Sequence, residues 1–235
     1  MRKLSIAIAV SSICMAAQAQ LIDDFSGDLS GWTSTVILDN NGGELHTSAW
    51  EISGGTLQLN TSATDGGVQQ YAMIYGGLTL QVGYEVLIDL VHSGASQDIG
   101  LYVGGTVPTP LVREDYVAIY ARDNKQIFSR GFDGTTEYGL VGGDELPYDS
   151  LFIARVAENT YEAGWYDNGV RNVLVTRTPI FANDADVIGL YADVRATGVL
   201  GNVDNFRIAV IPEPSTAALL GFGALGCLMR LRRRK

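Results

Sequence analysis

The stretch TYEAGWYDNGVRNVLVT, residues 160–176, decides the fold class. Residues 160–166 and 171–176 are rich in β-branched and aromatic side chains, the composition of strands. Between them Asp167-Asn168-Gly169 supplies the Asn-Gly pair whose positive φ values a tight hairpin requires. The same pattern recurs on either side. Residues 85–92, 115–122, 150–156 and 187–194 are apolar or alternating runs bounded by Gly, Asn, Asp or Pro, and further strands are expected at 56–60, 71–75, 97–103, 125–132 and 202–210. Ser53-Gly54-Gly55 and Asp133-Gly134 read as turns, and 28 glycines supply turn capacity. No 12-residue stretch between the two ends carries a helical stripe. Many strands without helical crossovers require antiparallel sheets, stacked as a sandwich or closed as a barrel.

The two ends follow a different logic. MRKLSIAIAVSSICMAAQAQ, residues 1–20, has the order of a secretory signal peptide: Arg2 and Lys3, an apolar 4–16, then the A-x-A site Ala17-Gln18-Ala19. Signal peptidase is the partner this implies, with a mature chain starting at Gln20. Cys14 follows Ile13, where a lipoprotein signal would place a small residue.

At the other end, residues 210–235 read VIPEPSTAALLGFGALGCLMRLRRRK. The uncharged segment 215–229 is shorter than the roughly 20 residues that usually span a bilayer core. Its flanking cations Arg230, Arg232, Arg233, Arg234 and Lys235 decide the reading: held in the cytoplasm, their stems extend the span and leave the body outside. Two prolines fix φ and remove two N–H donors, so Pro212-Glu213-Pro214 is expected to stay extended ahead of a transmembrane helix that Ser215 or Thr216 caps. Gly221, Gly223 and Gly226 spell G-x-G-x-x-G, but no βαβ unit surrounds them and only nine residues follow, so no dinucleotide site is expected.

The succession of Pro212-Glu213-Pro214-Ser215-Thr216, apolar segment and arginine-rich end closely resembles the PEP-CTERM sorting signal of Gram-negative bacteria. The resemblance implies an exosortase as partner, a membrane-embedded cysteine transpeptidase that recognises Pro-Glu-Pro and cuts near it. It also implies a membrane-anchored precursor whose product reaches the cell surface or extracellular matrix, often beside exopolysaccharide production. The chain then divides into a signal peptide (1–19), a β-sandwich (20–210) and a sorting signal (211–235).

Residues 20–211 carry 9 basic against 25 acidic side chains, a net charge of −16. Such a balance excludes nucleic acid and anionic membrane as attractive partners and suits a neutral polysaccharide. Cys14 and Cys227 lie in the two ends, so the body has neither a disulfide framework nor a thiolate zinc site.

The opening 21–32, LIDDFSGDLSGW, the Trp165-Tyr166-Asp167-Asn168-Gly169 hairpin and the closing 202–208, NVDNFRI, resemble concanavalin A-like (laminin G-like) jelly rolls. In those folds first and last strands pair, which implies that Asp23-Asp24-Phe25 lies near Asp204-Asn205-Phe206. The family includes lectins, carbohydrate-binding modules and laminarinase-type hydrolases, so an enzyme must be weighed. The hydrolase motif E-x-D-x-x-E is absent. Glu85 and Asp89 share a strand face about 13 Å apart at roughly 3.3 Å per residue. Retaining and inverting pairs need about 5–5.5 Å and at most about 9.5 Å. Glu85 is expected as an edge or surface charge, and carboxylates converging from different strands remain the alternative of a glycan-active hydrolase. His46 and His92 have no metal-ligand spacing, and no G-x-S-x-G elbow exists.

No catalytic residue is therefore expected. A structural calcium is the one candidate cofactor, with Asp23, Asp24 and Asp204 as ligands if the terminal strands meet, and Asp184-Ala-Asp186 as a second place. Sugar binding asks for an exposed aromatic platform beside polar groups. Trp32, after a Gly turn, and Trp50 are the candidates, while Trp165 alternates with Ala163 and reads as core. The expectation is an exported, exosortase-processed, non-enzymatic β-sandwich that binds polysaccharide or mediates adhesion.

Overall fold

The computed structural model describes residues 19–39, 50–61, 69–91, 99–122, 126–145, 148–179, 181, 187–194 and 198–211. The expected signal peptide, the Pro-Glu-Pro motif, the apolar segment after it and the terminal cations lie outside the described residues, as do His46, His92, Asp184 and Asp186. Among the described residues no helix is long and apolar enough to cross a membrane.

The chain forms an all-β sandwich of two antiparallel sheets. The eight-stranded sheet runs β13 (Val170–Arg177), β12 (Thr160–Asp167), β11 (Ser150–Ala157), β6 (Tyr84–Val91), β15 (Gly198–Val210), β4 (Thr56–Thr61), β3 (Trp50–Ser53). Its eighth member, β1 (Gln20–Asp23), lies beside the end of β15, on the flank whose first half β4 occupies. The seven-stranded sheet runs β10 (Glu137–Glu145), β9 (Gln126–Phe132), β8 (Tyr116–Ala121), β7 (Ile99–Gly104), β14 (Val187–Val194), β5 (Gln69–Tyr75), β2 (Trp32–Asp39).

Every strand expected from the sequence is present. The hairpin at 167–170 has Asn168 at φ 49° and Gly169 at φ 76°, both left-handed as a two-residue turn demands. Three strands, β2, β3 and β10, escaped the sequence reading, and β1 was implied only by the jelly-roll resemblance. β1 and β3 are four residues each, too short to show a period, while β10 contains three glycines and β2 is rich in small polar residues.

Alternation places Val86, Ile88 and Leu90 of β6 in the inter-sheet core against Ile99, Leu101 and Val103 of β7. β7, β8 and β14 are buried along their whole length, not on alternate residues. An antiparallel sheet with one wet face would alternate, so the outer face of this sheet is covered too.

At one flank the terminal strands pair, with Gln20 opposite Ile208 and Asp23 opposite Phe206. This is the closure the jelly-roll resemblance implied. An aromatic knot holds it: Trp32 stands 5.0 Å from Tyr75 and 5.0 Å from Phe206, edge to face, and 5.8 Å from Phe25. The Asp23 carboxylate accepts the indole N–H of Trp32 and the backbone N–H of Phe25, each at 2.7 Å. Asp23→Ala strands both donors beside a buried indole and is expected to lower unfolding stability by about 2–3 kcal/mol. Urea denaturation measures it, and a loss below about 0.5 kcal/mol would show that the closure does not depend on this carboxylate.

Candidate functional site

Both outer faces of the sandwich carry charge, and they differ in kind. On the eight-stranded sheet Glu85 of β6 and Glu162 of β12 both lie opposite Ala154 of β11. Their Cα atoms are therefore about 9.5 Å apart, two strand spacings. Arg171 of β13 fills the gap, with Nε 3.1 Å from Glu85 Oε2 and Nη1 2.7 Å from Glu162 Oε2. Its guanidinium lies 4.0 Å over the Phe152 ring, and Tyr166 donates its hydroxyl to Glu85 Oε1 at 2.6 Å. Burial pushes the Glu85 carboxyl up, while Tyr166 and Arg171 pull it back. The expected edge or surface position of Glu85 is thus corrected: it is buried on a central strand, because a cross-strand arginine neutralises it. Asp89, its neighbour on the same face, has a separate partner set: Arg207 Nη1 at 2.6 Å and the Asn205 amide at 3.0 Å. The Arg171 guanidinium thus pairs with both carboxylates at once.

The seven-stranded sheet presents something else. Tyr116 and Tyr120 of β8, Tyr102 of β7 and Tyr191 of β14 form a continuous, fully buried aromatic layer on its outer face. Tyr102 stacks on Tyr116 at 5.1 Å, Tyr116 on Tyr191 at 5.8 Å, and Tyr191 leans on Tyr120 at 5.3 Å. Such closeness depends on glycine: a Cβ on Gly100, between Tyr191 and Tyr120 in register, would collide with the backbone of Ile119 and Tyr120. At one end of the layer sits Asp193, buried, with Arg130 Nη1 at 3.1 Å, Arg122 Nη2 at 3.8 Å and the Tyr120 hydroxyl donating at 3.3 Å. Beside it the Gln70 carbonyl accepts from the Tyr116 hydroxyl at 3.5 Å. Three polar atoms of this layer find no hydrogen-bond partner, the hydroxyls of Tyr102 and Tyr191 and the Gln70 amide nitrogen.

Among the described residues the segment that crosses this face is the β7–β8 connection, residues 105–115. It leaves β7 at Gly104, opposite Val187, yet the Leu111 N–H bonds the carbonyl of Val36 at 2.8 Å on the edge strand β2. Val36 lies three strands away and, through Tyr71, level with Ala192, five residues along β14. The connection therefore crosses about 14 Å of sheet width and about 16 Å of strand length. The core fills the inner side, so it passes over the outer face as a strap. Its return is held by Arg113, 4.8 Å over Phe132 and 3.5 Å from Glu137. Thr109-Pro110-Leu111-Val112 is a turn closed by Val112 N–H on the Thr109 carbonyl at 3.1 Å, with Leu111 at φ 64°. That geometry is type II, whose third position normally takes Gly or Asn; a leucine there stores about 1 kcal/mol or more of strain.

The residues singled out from sequence fall elsewhere. Trp32 and Trp50 are not the exposed platform expected of them: both are buried in the inter-sheet core, Trp32 because Asp23 satisfies its indole N–H inside the aromatic knot. Trp165 is half-buried against the same core. Asp23, Asp24 and Asp204 do come to one flank. Each, however, accepts from nearby N–H or O–H groups: Asp23 from Phe25 and Trp32, Asp24 from Ser26, Asp204 from Asn205. Ser26 holds the Asp24 carboxyl below its usual range. Among the described residues no three His, Cys, Asp or Glu are grouped to hold a metal ion. The tyrosine layer itself was readable: Tyr116 and Tyr120 at i, i+4 and Tyr191 and Asp193 at i, i+2 must share strand faces.

Residues 210–235 match the PEP-CTERM protein-sorting motif, a motif that marks exported proteins held at the membrane before cleavage. No curated protein matches the sequence. Among solved structures the fold is similar to the exoplasmic/lumenal domain of VIP36 in its Ca2+/Man3GlcNAc-bound form, with 12% identity, 81% of this chain and 88% of that chain covered, and a TM-score of 0.52. It is also similar to a structure described under endo-acting O-glycanases of the human gut microbiota that initiate mucin breakdown, at 11% identity, 81% and 99% coverage, and a TM-score of 0.51. These likenesses establish the lectin-like, concanavalin A-like sandwich as the fold.

Burial raises the hydroxyls of Tyr102 and Tyr191 well above the usual 10 and pushes Tyr116 up to about 12. A group whose folded-state value is raised adds stability that is complete below its unfolded value and is lost as pH climbs through the folded one. Alkaline titration followed by tyrosinate absorbance should therefore show these residues ionising above pH 10, together with unfolding. Full ionisation of all tyrosines near pH 10 in the folded state would contradict the sealed layer.

Proposed function

We propose that this protein is exported, processed by an exosortase at Pro212-Glu213-Pro214 and delivered to the cell surface or matrix, where its sandwich binds a neutral polysaccharide without cleaving it. The observation that carries the binding reading is the tyrosine layer beneath the strap. Stacked rings offer faces to pyranose C–H groups, and Asp193, Arg130 and Gln70 offer hydroxyl partners. The Tyr102 hydroxyl and Gln70 amide are polar groups with no partner in the closed state. A buried donor left unmade costs about 1–3 kcal/mol, which a ligand hydroxyl recovers. Ligand entry requires the strap to lift, and the strain at Leu111 favours that movement.

The non-enzymatic reading draws support from the eight-stranded face, where Arg171 occupies the space between Glu85 and Glu162. The solved neighbours lend the class of ligand: VIP36 was solved with a mannose-containing glycan. Its calcium is carried over only as a class of ion, since oxygens other than those of Asp23, Asp24 and Asp204 would have to supply the site. The charge of residues 20–211, −16, points to a neutral glycan rather than an anionic one.

Tyr102→Phe separates binding from folding. Removal of an unpartnered buried hydroxyl is expected to raise stability by about 1 kcal/mol. The same change should weaken polysaccharide binding, found first on a glycan array and then measured by calorimetry, by at least about fivefold. Unchanged affinity in a stabilised Tyr102→Phe protein would remove the tyrosine layer from the binding site. Release of new reducing ends from the bound glycan would instead favour the hydrolase.

The sorting route has its own check. Glu213→Ala should leave a larger, membrane-associated precursor in the native host, seen by intact mass, whereas the parent chain yields a form beginning near Gln20 and ending near Pro212. If the variant is released like the parent, the motif is not what the processing enzyme reads.

A further inference from the structure

The sandwich has two ends along its strands, and both of its covalent tethers leave by the same one. β15 runs to Val210 opposite Tyr84, the first residue of β6, and Ile211 donates its N–H to the Gly83 carbonyl at 2.9 Å. β1 is antiparallel to β15 and begins with Gln20 opposite Ile208, so the chain enters one strand spacing from where it exits. On either side the distance to apolar sequence is short. Three residues, 212–214, separate Ile211 from the uncharged segment 215–229, and three, 17–19, separate the apolar 4–16 from Gln20. Three extended residues span at most about 11 Å. The polar layer on each side of the hydrocarbon core is itself about 5–8 Å thick. While the C-terminal segment sits in a bilayer, the end of β15 is therefore held at the headgroups.

That same end carries exposed apolar side chains. Val82, at the tip of the turn leading into β6, is 50% exposed, Tyr84 39% and Val210 41%. Tyr84 and Val210 are cross-strand partners, and Val82 adjoins them through the Gly83–Ile211 bond. A tyrosine flanked by two valines is the composition found at membrane–water interfaces, where the ring body is apolar and its hydroxyl stays wet.

We propose that Val82, Tyr84 and Val210 form a docking rim that seats the sandwich on the lipid interface while the precursor is anchored. This rests on the sorting reading, because only the anchor brings the rim to lipid. The acidic body has no affinity of its own for an anionic surface, so the seat is held by the tether and lost on cleavage.

The test uses the full chain with Cys14→Ala and Cys227→Ala, and a single thiol introduced as Val82→Cys or as Val170→Cys. Val170 is exposed at the opposite end of the eight-stranded sheet, next to the 167–169 turn. Each thiol carries an environment-sensitive fluorophore, and the protein is reconstituted into phosphatidylcholine vesicles containing nitroxide-headgroup lipid. The expected result is strong quenching and a blue shift at Val82, with the Val170 probe unaffected. A Gly-Ser spacer of about ten residues inserted between Ile211 and Pro212 should abolish the Val82 signal while the chain still floats with the vesicles. Vesicle-bound protein whose Val82 probe is unquenched, or whose two probes are quenched alike, overturns the rim and leaves the anchor intact. A Val82 signal that follows protein concentration and not lipid assigns the face to a second copy and equally overturns it. Protein that fails to float at all overturns the anchoring reading and the rim with it.

Discussion

The pairing of β1 with β15 is the constraint from which the rest of the molecule follows. β15 is central in the eight-stranded sheet, bonded along one flank to β6 and along the other to β4 and then β1. Its Phe206 is the ring against which Trp32 packs, and Trp32 is fixed by the carboxylate of Asp23. One hydrogen bond from the first strand thus orients the aromatic that joins β2 and β5 of one sheet to β15 of the other. With no cysteine in residues 20–211, this closure does the work that a disulfide performs in many exported domains.

A second organising fact is how the few cations are spent. The described residues contain seven arginines and no lysine, and all seven are engaged. Arg171 joins Glu85 to Glu162, Arg207 holds Asp89, and Arg122 and Arg130 converge on Asp193. Arg113 bridges to Glu137, Arg155 reaches the Leu80 carbonyl, and Arg177 closes the sandwich edge on Ser129 and Gly139. Positive charge is used to make acidic groups tolerable on sheet faces, and the solvent-facing surface is left acidic. Removing one partner from such a set leaves an uncompensated charge, so these pairs specify cross-strand arrangement more than they add net stability.

The strands were legible because a period of two survives in sequence wherever one face is buried, as in Tyr161, Ala163 and Trp165, and because Asn168-Gly169 admits few conformations besides a tight turn. The terminal pairing was legible only through a family resemblance, since nothing in Asp23-Asp24-Phe25 alone names its partner. The site was legible in part. Same-face tyrosines on β8 and β14 follow from spacing, yet attention to tryptophan as the sugar-stacking residue led to Trp32 and Trp50, which the core claims. Glu85 resisted prediction because its burial is decided by Arg171, 86 residues away in sequence. The strap resisted it because Leu111 adopts a left-handed φ that leucine rarely takes, so the turn has no signature in the residue that makes it.

Topology also couples folding to sorting. β15 is the last strand of the body to be synthesised, and without it β6 loses one neighbour while β4 and β1 lose the strand that joins them to the sheet. Non-local pairing of this kind closes late, after its loop entropy has been met. The sandwich therefore cannot complete until the residues immediately ahead of Pro212 have emerged, and by then the sorting signal is the next segment of chain. A sorting motif placed directly after that strand leaves the whole of it on the body's side of Pro212.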